Sequence, residues 1–396
     1  LLGTTEYYGN GLKDIYLVKI DANGTVLWER TYGGSDQDEG FAVEVTNDNG
    51  YILVGSTMSF ASGSVDVILI KTGFYGDSLW SKTFTGISNP SFNNFSLKGY
   101  DVKQTSDDGY LICGSYAAMP VGGGNNDYKL FLIKTDSNGT EQWRKLYDGE
   151  TAYDLHLSNN GNFVLTGYTI DAELILMKIN SIGDSIWSKN YGSVFGTGSS
   201  DFAFGYSIET TTDGGFVLCG VGCAYSLNPI CGMIILKTDS LGNEEWYKFY
   251  TDGGGRAYSI QQTLDGGYIV VGEKSTNSPS SYDLYLVKMD NLGNIQWEKT
   301  FGGSYHDKGF SVQQLMNGSY VMFGLNTYTS LNHRNAYLIM TDGQGNISST
   351  FNIPINPNRE LEKVVDISGK DINPVKNKPF IEIYDDGTAE KKIIIE

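Results

Sequence analysis

All six tryptophans, Trp28, Trp80, Trp143, Trp187, Trp246 and Trp297, sit in one recurring phrase, typified by "DNLGNIQWEKTFGGS" over residues 290–304. Successive copies lie 52, 63, 44, 59 and 51 residues apart, and recurrence at that period signals like supersecondary units rather than unrelated domains. Aligning the copies gives four strand-length segments per unit: "GFSVQQL" (309–315), "YIVVG" (268–272), "DLYLVKMD" (283–290) and "IQWEKTFGG" (295–303). Their β-branched and aromatic content suits strands. Tight turns such as "DGG" (265–267) and "DNLGN" (290–294) carry glycine, which supplies the positive φ that short hairpins need.

Four consecutive hairpin-linked strands make one antiparallel blade, and about fifty residues per blade suits a β-propeller. The second, third and fourth segments recur seven times if "LLGTT" at residues 1–5 is a second segment; the first recurs six times. The expected fold is all-β: a seven-bladed β-propeller of four-stranded antiparallel blades over 1–351, with the inner strand of blade one missing upstream of residue 1. That strand is expected from upstream residues, from the tail, or from a neighbouring molecule. A small β-rich C-terminal segment follows at 352–396, where "FIEIY" and "KKIIIE" around "DDG" predict a hairpin.

A formal net charge of −18 argues against nucleic acid and anionic membrane as partners, since both require a concentrated basic surface. No apolar run reaches the ~18 residues of a membrane-spanning helix. Among the four cysteines, Cys113 and Cys219 fall at equivalent strand positions and read as small buried residues. Cys223 and Cys231 bracket "AYSLNPI" and are expected to form a disulfide in an oxidising compartment.

The first-to-second and third-to-fourth turns share one face and are short; nearly all insertions fall on the other face, where variable loops on a rigid scaffold suit binding. Candidate contact residues there are Phe92, Asn94, Phe95, Asn126, Phe195, Tyr225, Tyr305, His306, His333 and Arg334. Their side chains suit adaptable contacts to glycan or protein. Acidic turns such as "TNDNGY" and "TSDDGY" offer too few carboxylates for a calcium shell, so no metal and no cofactor is expected. Asp38 and Asp307 recur in "GGSDQDEG" and "GGSYHDKG" and read first as turn formers.

The "D-x-x-G-x-x-x-W" phrase resembles the tryptophan-docking repeat of quinoprotein-type propellers, and the whole unit is similar to the "DGGY...W" repeats of secreted Bacteroidota proteins. Asp77-Ser78-Leu79, Asp184-Ser185-Ile186 and Asp239-Ser240-Leu241 resemble the Bacteroidota O-glycosylation pattern, making Ser78, Ser185 and Ser240 candidate acceptors. The tail, through "VVDISGK", "FIEIYDDGT" and "EKKIIIE", resembles the C-terminal sorting domain of the type IX secretion system. That resemblance implies transient engagement of the secretion machinery and an extracellular or outer-surface location. The expected function is non-enzymatic: a surface binding or structural module displaying its variable loops, without membrane insertion. Two alternatives are a self-assembling fibre subunit using strand addition through the tail, and a propeller polysaccharide hydrolase or lyase using acids such as Asp201 or Asp307.

Overall fold

The computed structural model describes the chain apart from residues 7–8, 10, 22–23, 62–63, 87–90, 159–160, 193–200, 225–229, 279–280, 328–333, 354–360, 367–369, 374–378, 385–388 and 394–396. At 93–94, 276–278, 334, 351–353, 361–362, 379–380, 382–384 and 389–393 it describes the backbone only. Strands β1 (Leu2–Thr5), β2 (Asp14–Ile20) and β3 (Val26–Tyr32) form a three-stranded antiparallel sheet. A four-stranded sheet follows: β4 (Asp38–Val45), β5 (Tyr51–Thr57), β6 (Asp66–Thr72) and β7 (Ser78–Phe84). The next repeat contributes β8 (Phe92–Gln104), β9 (Tyr110–Pro120), β10 (Asp127–Thr135) and β11 (Glu141–Tyr147). It runs on through the Thr151–Ser115 pair into β12 (Thr151–Leu157), β13 (Phe163–Tyr168), β14 (Leu174–Ile179) and β15 (Ser185–Tyr191), so these eight strands share one hydrogen-bonded sheet.

Three more four-stranded sheets complete the repeats. The first holds β16 (Phe202–Thr210), β17 (Phe216–Ala224), β18 (Ile230–Thr238) and β19 (Glu244–Tyr250); the second holds β20 (Arg256–Gln262), β21 (Tyr268–Ser278), β22 (Ser281–Met289) and β23 (Ile295–Phe301). The third is β24 (Lys308–Gln314), β25 (Tyr320–Thr327), β26 (Arg334–Thr341) and β27 (Ile347–Ile353). In the tail, β28 (Leu361–Val365), β29 (Pro379–Tyr384) and β30 (Ala389–Ile393) pair as a separate sheet, β29 and β30 antiparallel as the sequence pattern requires.

Apolar side chains on both faces of the middle strands drive sheet-on-sheet packing. Residues 66–72 of β6 are buried throughout, and each core cluster draws on two successive repeats. Tyr16 and Val18 of β2 pack with Ala336 of β26, Phe323 of β25 and Leu1, which brings the last repeat against the first. The leading strands β4, β8, β12, β16, β20 and β24 touch in sequence and surround the common axis.

The repeated tryptophan works as a spacer between repeats rather than as a fully buried core residue, for all six remain partly exposed. Each ring lies on the next repeat's turn glycine: a β-carbon at Gly345 would stand 2.6 Å from Trp297, and one at Gly242 would stand 2.9 Å from Trp187. Four residues later, Tyr32 donates its hydroxyl to the carbonyl of Gly76 at 2.5 Å; Tyr147, Tyr191 and Tyr250 do the same to Gly183, Gly242 and Gly293.

Several of the insertions that read as variable loops are strands instead. "SFNNFSLKG" and "SYAAMPVGGG" largely form a hairpin that extends β8 and β9 to the Phe92–Pro120 pair, because alternate residues of the extension pack on the core. Residues 273–278 and 281–283 lengthen β21 and β22.

Candidate binding site at the axis

Every leading strand contains a small residue, an aromatic residue, then a small or acidic one. The ladder with the second strand skips the aromatic position: pairing passes from Gly40 to Ala42, Gly99 to Asp101, Ala152 to Asp154, Gly205 to Ser207, Ala257 to Ser259 and Gly309 to Ser311. Each skip is a β-bulge, which re-aims the extra side chain out of the ladder. The bulge also explains the repeated glycine of the second strand. A β-carbon at Gly55, Gly114, Gly167, Gly220, Gly272 or Gly324 would stand within 2.0 Å of the bulged strand's carbonyl oxygen.

The six ejected rings meet in order around the axis. Centroid separations are 5.1 Å for Phe41–Tyr100, 5.0 Å for Tyr100–Tyr153, 5.2 Å for Tyr153–Tyr206, 5.4 Å for Tyr206–Tyr258 and 5.5 Å for Tyr258–Phe310. These are favourable aromatic distances. Phe41 and Phe310, at the two ends of this collar, are the most open, each 40% exposed. Glu273, 3% exposed, accepts the Tyr258 hydroxyl at 3.0 Å and pairs with Lys308 at 2.8 Å, anchoring the collar from behind.

From Tyr153 the aromatic surface continues through Tyr168 (5.9 Å) to Phe204 (4.3 Å) and Phe202 (4.7 Å). Phe202 and Phe204 open β16, so this tract runs from the collar toward the N-terminal end of that strand.

Further along the same strands lies a cavity of about 360 Å³, lined in part by Lys103, Asp154, His156, Glu209, Gln261 and Gln313. Several of these side chains tie one repeat to the next. Glu44 accepts the Gln104 amide N–H at 2.9 Å, while Gln104 accepts that of Asn47 at 2.8 Å. Glu209 and Gln262 repeat this exchange, as do Gln261 and Gln314. Where Lys103 and His156 occupy the equivalent position, Asp101 and Asp154 take over, accepting the N–H groups of Leu155 at 3.1 Å and Ile208 at 2.8 Å.

The belt is charged and poorly solvated. Burial pushes Asp101 up to about 7, with Lys103 opposing the shift and Asp154 adding to it; Lys103 lies 2.8 Å from the Asp101 carboxylate. Burial also raises Glu209 to about 7 against the Gln262 hydrogen bond, Asp154 adding to the shift, and it raises Glu44. His156 is held below its usual value by burial and then by the Lys103 charge. Two carboxylates and an imidazole thus line one cavity, although Asp154 and Glu209 already hold backbone N–H groups.

The acids singled out in the sequence are engaged elsewhere. Asp307 is fully buried: one carboxylate oxygen accepts Asn326 Nδ2 at 3.0 Å and Thr327 N at 2.7 Å, the other Gly303 N at 2.8 Å. Asp38 accepts Gly34 N at 2.8 Å and the Ser59 hydroxyl at 2.6 Å. Asp201 also interacts with its surroundings. In the acidic turns, Asp48, Asp107, Asp213 and Asp265 each lie 2.9 Å from a buried lysine: Lys71, Lys134, Lys237 and Lys288. For Asp48 the Thr46 hydroxyl and Lys71 hold the carboxyl at about 2; for the other three, threonine and lysine outweigh burial to the same end. Among the described residues no group of three or more His, Cys, Asp or Glu side chains could hold a metal ion.

The variable-face candidates are spread over separate repeats. Phe92 and Phe95 pack against the core beneath β8 and β9. Asn126 donates to the Tyr128 hydroxyl at 3.0 Å, and His306 stacks on Tyr282 at 5.6 Å beside the exposed Tyr305. Arg334 opens β26 and Asn94 lies in β8, both with only their backbone described; Phe195, Tyr225 and His333 lie outside the described residues. Cys223 and Cys231 are directly opposed across β17 and β18 and form a disulfide, while Cys113 and Cys219 are free and buried. Ser78 and Ser185 open β7 and β15 and are exposed; Ser240 is also exposed but stands in a turn, so the three acceptor patterns occupy two structural positions.

The axial collar was absent from the sequence-derived candidates, although the aromatic column Phe41, Tyr100, Tyr153, Tyr206, Tyr258 and Phe310 was present in the alignment of repeats.

No protein-family model and no curated protein matches the chain. Solved structures that resemble it include a puromycin hydrolase, at TM-score 0.52 and 11% identity, covering 97% of this chain and 56% of that one. The BP39L lectin of Burkholderia pseudomallei is similar at TM-score 0.49 and 9% identity, over 86% of this chain and 95% of that one. The Dos1 propeller follows at TM-score 0.47 and 9% identity, over 89% and 81%. The chain therefore spans little more than half of the puromycin hydrolase, and the likeness concerns the fold: all-β, with β-propeller neighbours.

Proposed function

We propose that this chain is a non-enzymatic, exported binding module: a seven-bladed propeller whose variable face meets a surface glycan or protein. The carrying observation is the aromatic tract Tyr153, Tyr168, Phe204 and Phe202, which leads from the collar toward the N-terminal end of β16. Aromatic faces on a rigid scaffold supply contact area at low entropic cost. The Cys223–Cys231 disulfide supports an oxidising destination outside the cytoplasm. The engagement of Asp38 and Asp307 in backbone hydrogen bonds speaks against a catalytic pair there. On this reading the tail addresses the protein to the type IX secretion machinery and thence to the outer surface, in keeping with its resemblance to Bacteroidota sorting domains.

A glycan microarray tests the proposal. Wild type should bind a defined subset of polysaccharides, and Phe202→Ala with Phe204→Ala should abolish the signal while the melting temperature stays within a few degrees. Binding unchanged by the double substitution would remove the aromatic tract from the account, and silence of the wild type would shift the ligand to protein.

The fibre reading draws on a different observation: among the described strands β1 pairs with β2 alone, and the collar rings on either side of this repeat, Phe41 and Phe310, are the open ones. An exposed strand edge is a template for strand addition. Electron microscopy of the native protein should then show filaments; uniform single rings would rule this out.

A further inference from the structure

We infer that the axis of the repeats holds a binding site for an organic ammonium cation, between the aromatic collar and the belt carboxylates further along the same strands. Six rings pointing out of their ladders toward one axis present π-systems to anything entering, and aromatic faces attract alkylammonium groups through the ring quadrupole. Beneath them the cavity is bounded by Asp154 and Glu209, with Asp101 and Glu44 adjoining Lys103. Asp101, Asp154 and Glu44 act on the Lys103 charge and Glu209 lines the same cavity, so carboxyl groups outnumber cations in the belt. Gln261 and Gln313 add neutral amides to the lining.

Burial raises both Asp101 and Glu209 to about 7, and the Asp154 charge adds to each shift. A cation seated among them would favour the charged forms, so affinity should rise with pH through this region and binding should release protons. The groups facing Glu209 are Asp154 and His156 of β12, Lys103 of β8, Gln261 of β20 and Gln313 of β24. Arg256 lies outside the belt, 3.6 Å from Glu273. The net charge of −18 would draw a cation toward the chain generally, whereas the collar and belt give it a place.

This site is independent of the variable-face reading: a silent glycan array leaves it intact, and its own failure leaves glycan binding intact. The test is calorimetric titration of the full chain with choline and with its neutral carbon isostere, dimethylbutanol. Choline should bind at least about tenfold more tightly than the isostere and more tightly at pH 8 than at pH 5, releasing protons. Glu209→Gln should weaken choline about tenfold and flatten the pH dependence. It should fold normally, because Gln261 accepts the neighbouring N–H at 2.6 Å at the equivalent position. Tyr206→Leu, which removes a ring but keeps an apolar side chain, should weaken choline in its turn. Equal binding of the isostere, no binding of choline at millimolar concentration, or unaltered affinity in both variants would each overturn the site.

Discussion

At the scale of single residues, the turn glycines divide into two kinds with the same backbone and different neighbours. Gly242 (φ +74°) carries the Trp187 ring on the site a β-carbon would take, whereas Gly266 (φ +81°) has nothing within 4 Å of that site. Gly266→Ala should therefore cost only the left-handed backbone penalty, about 1 kcal/mol. Gly242→Ala should cost about 1–3 kcal/mol more, through overpacking against the ring; urea denaturation of both variants measures the difference. The disulfide gives a second prediction. It closes a short loop, so reduction should lower stability by about 2 kcal/mol. Unfolded without reductant, the chain should titrate two thiols, those of Cys113 and Cys219.

At the scale of the strand, a bulge and a glycine make a matched pair. Gly220→Ala would place a β-carbon 1.8 Å from the Phe204 carbonyl oxygen. That cannot be relieved without undoing the bulge that ejects Tyr206, so a loss above about 3 kcal/mol is expected, with weakened near-ultraviolet dichroism from the collar. Strands were legible in the sequence because apolar alternation and turn glycines are local signals, and the tryptophan phrase gave their period. The Cys223–Cys231 pairing was legible too, from two cysteines bracketing one hairpin. The collar was not, because a bulge reverses the direction of one side chain without changing composition, and Tyr153 reads like any other strand aromatic. The long β8–β9 hairpin was missed for a related reason: "SFNNFSLKG" is rich in asparagine and serine, and packing of Phe92 and Phe95 overrides that preference.

For the whole molecule, two sets of carboxylates set opposite limits on stability. Asp101 and Glu209 bind protons more tightly folded than unfolded, so their contribution is fully present at low pH and is lost as pH rises through about 7; burial shifts Glu44 in the same direction. Asp48, Asp107, Asp213 and Asp265 are held at about 2, so theirs is present above about 4 and lost as pH falls through about 2. The melting temperature should peak between about pH 4 and 6, and a flat profile from pH 5 to 8 would contradict the buried state of the axial acids. Among the described residues the junction of last and first repeats buries Tyr16, Val18 and Ala336, and Ser349 stands in the last repeat in place of the tryptophan. Ser349→Trp should add about 1–2 kcal/mol by restoring that ring, read as a rise in melting temperature. The amide-to-carboxylate exchanges between leading strands have a direction, for Glu44, Glu209 and Gln261 each await a backbone N–H from the repeat that follows. On the ribosome, each repeat would therefore emerge with its half of the joint already formed and its partner still to be made. Assembly would proceed in chain order, and a permuted gene that starts at a different repeat should preserve these joints while moving the last one to close.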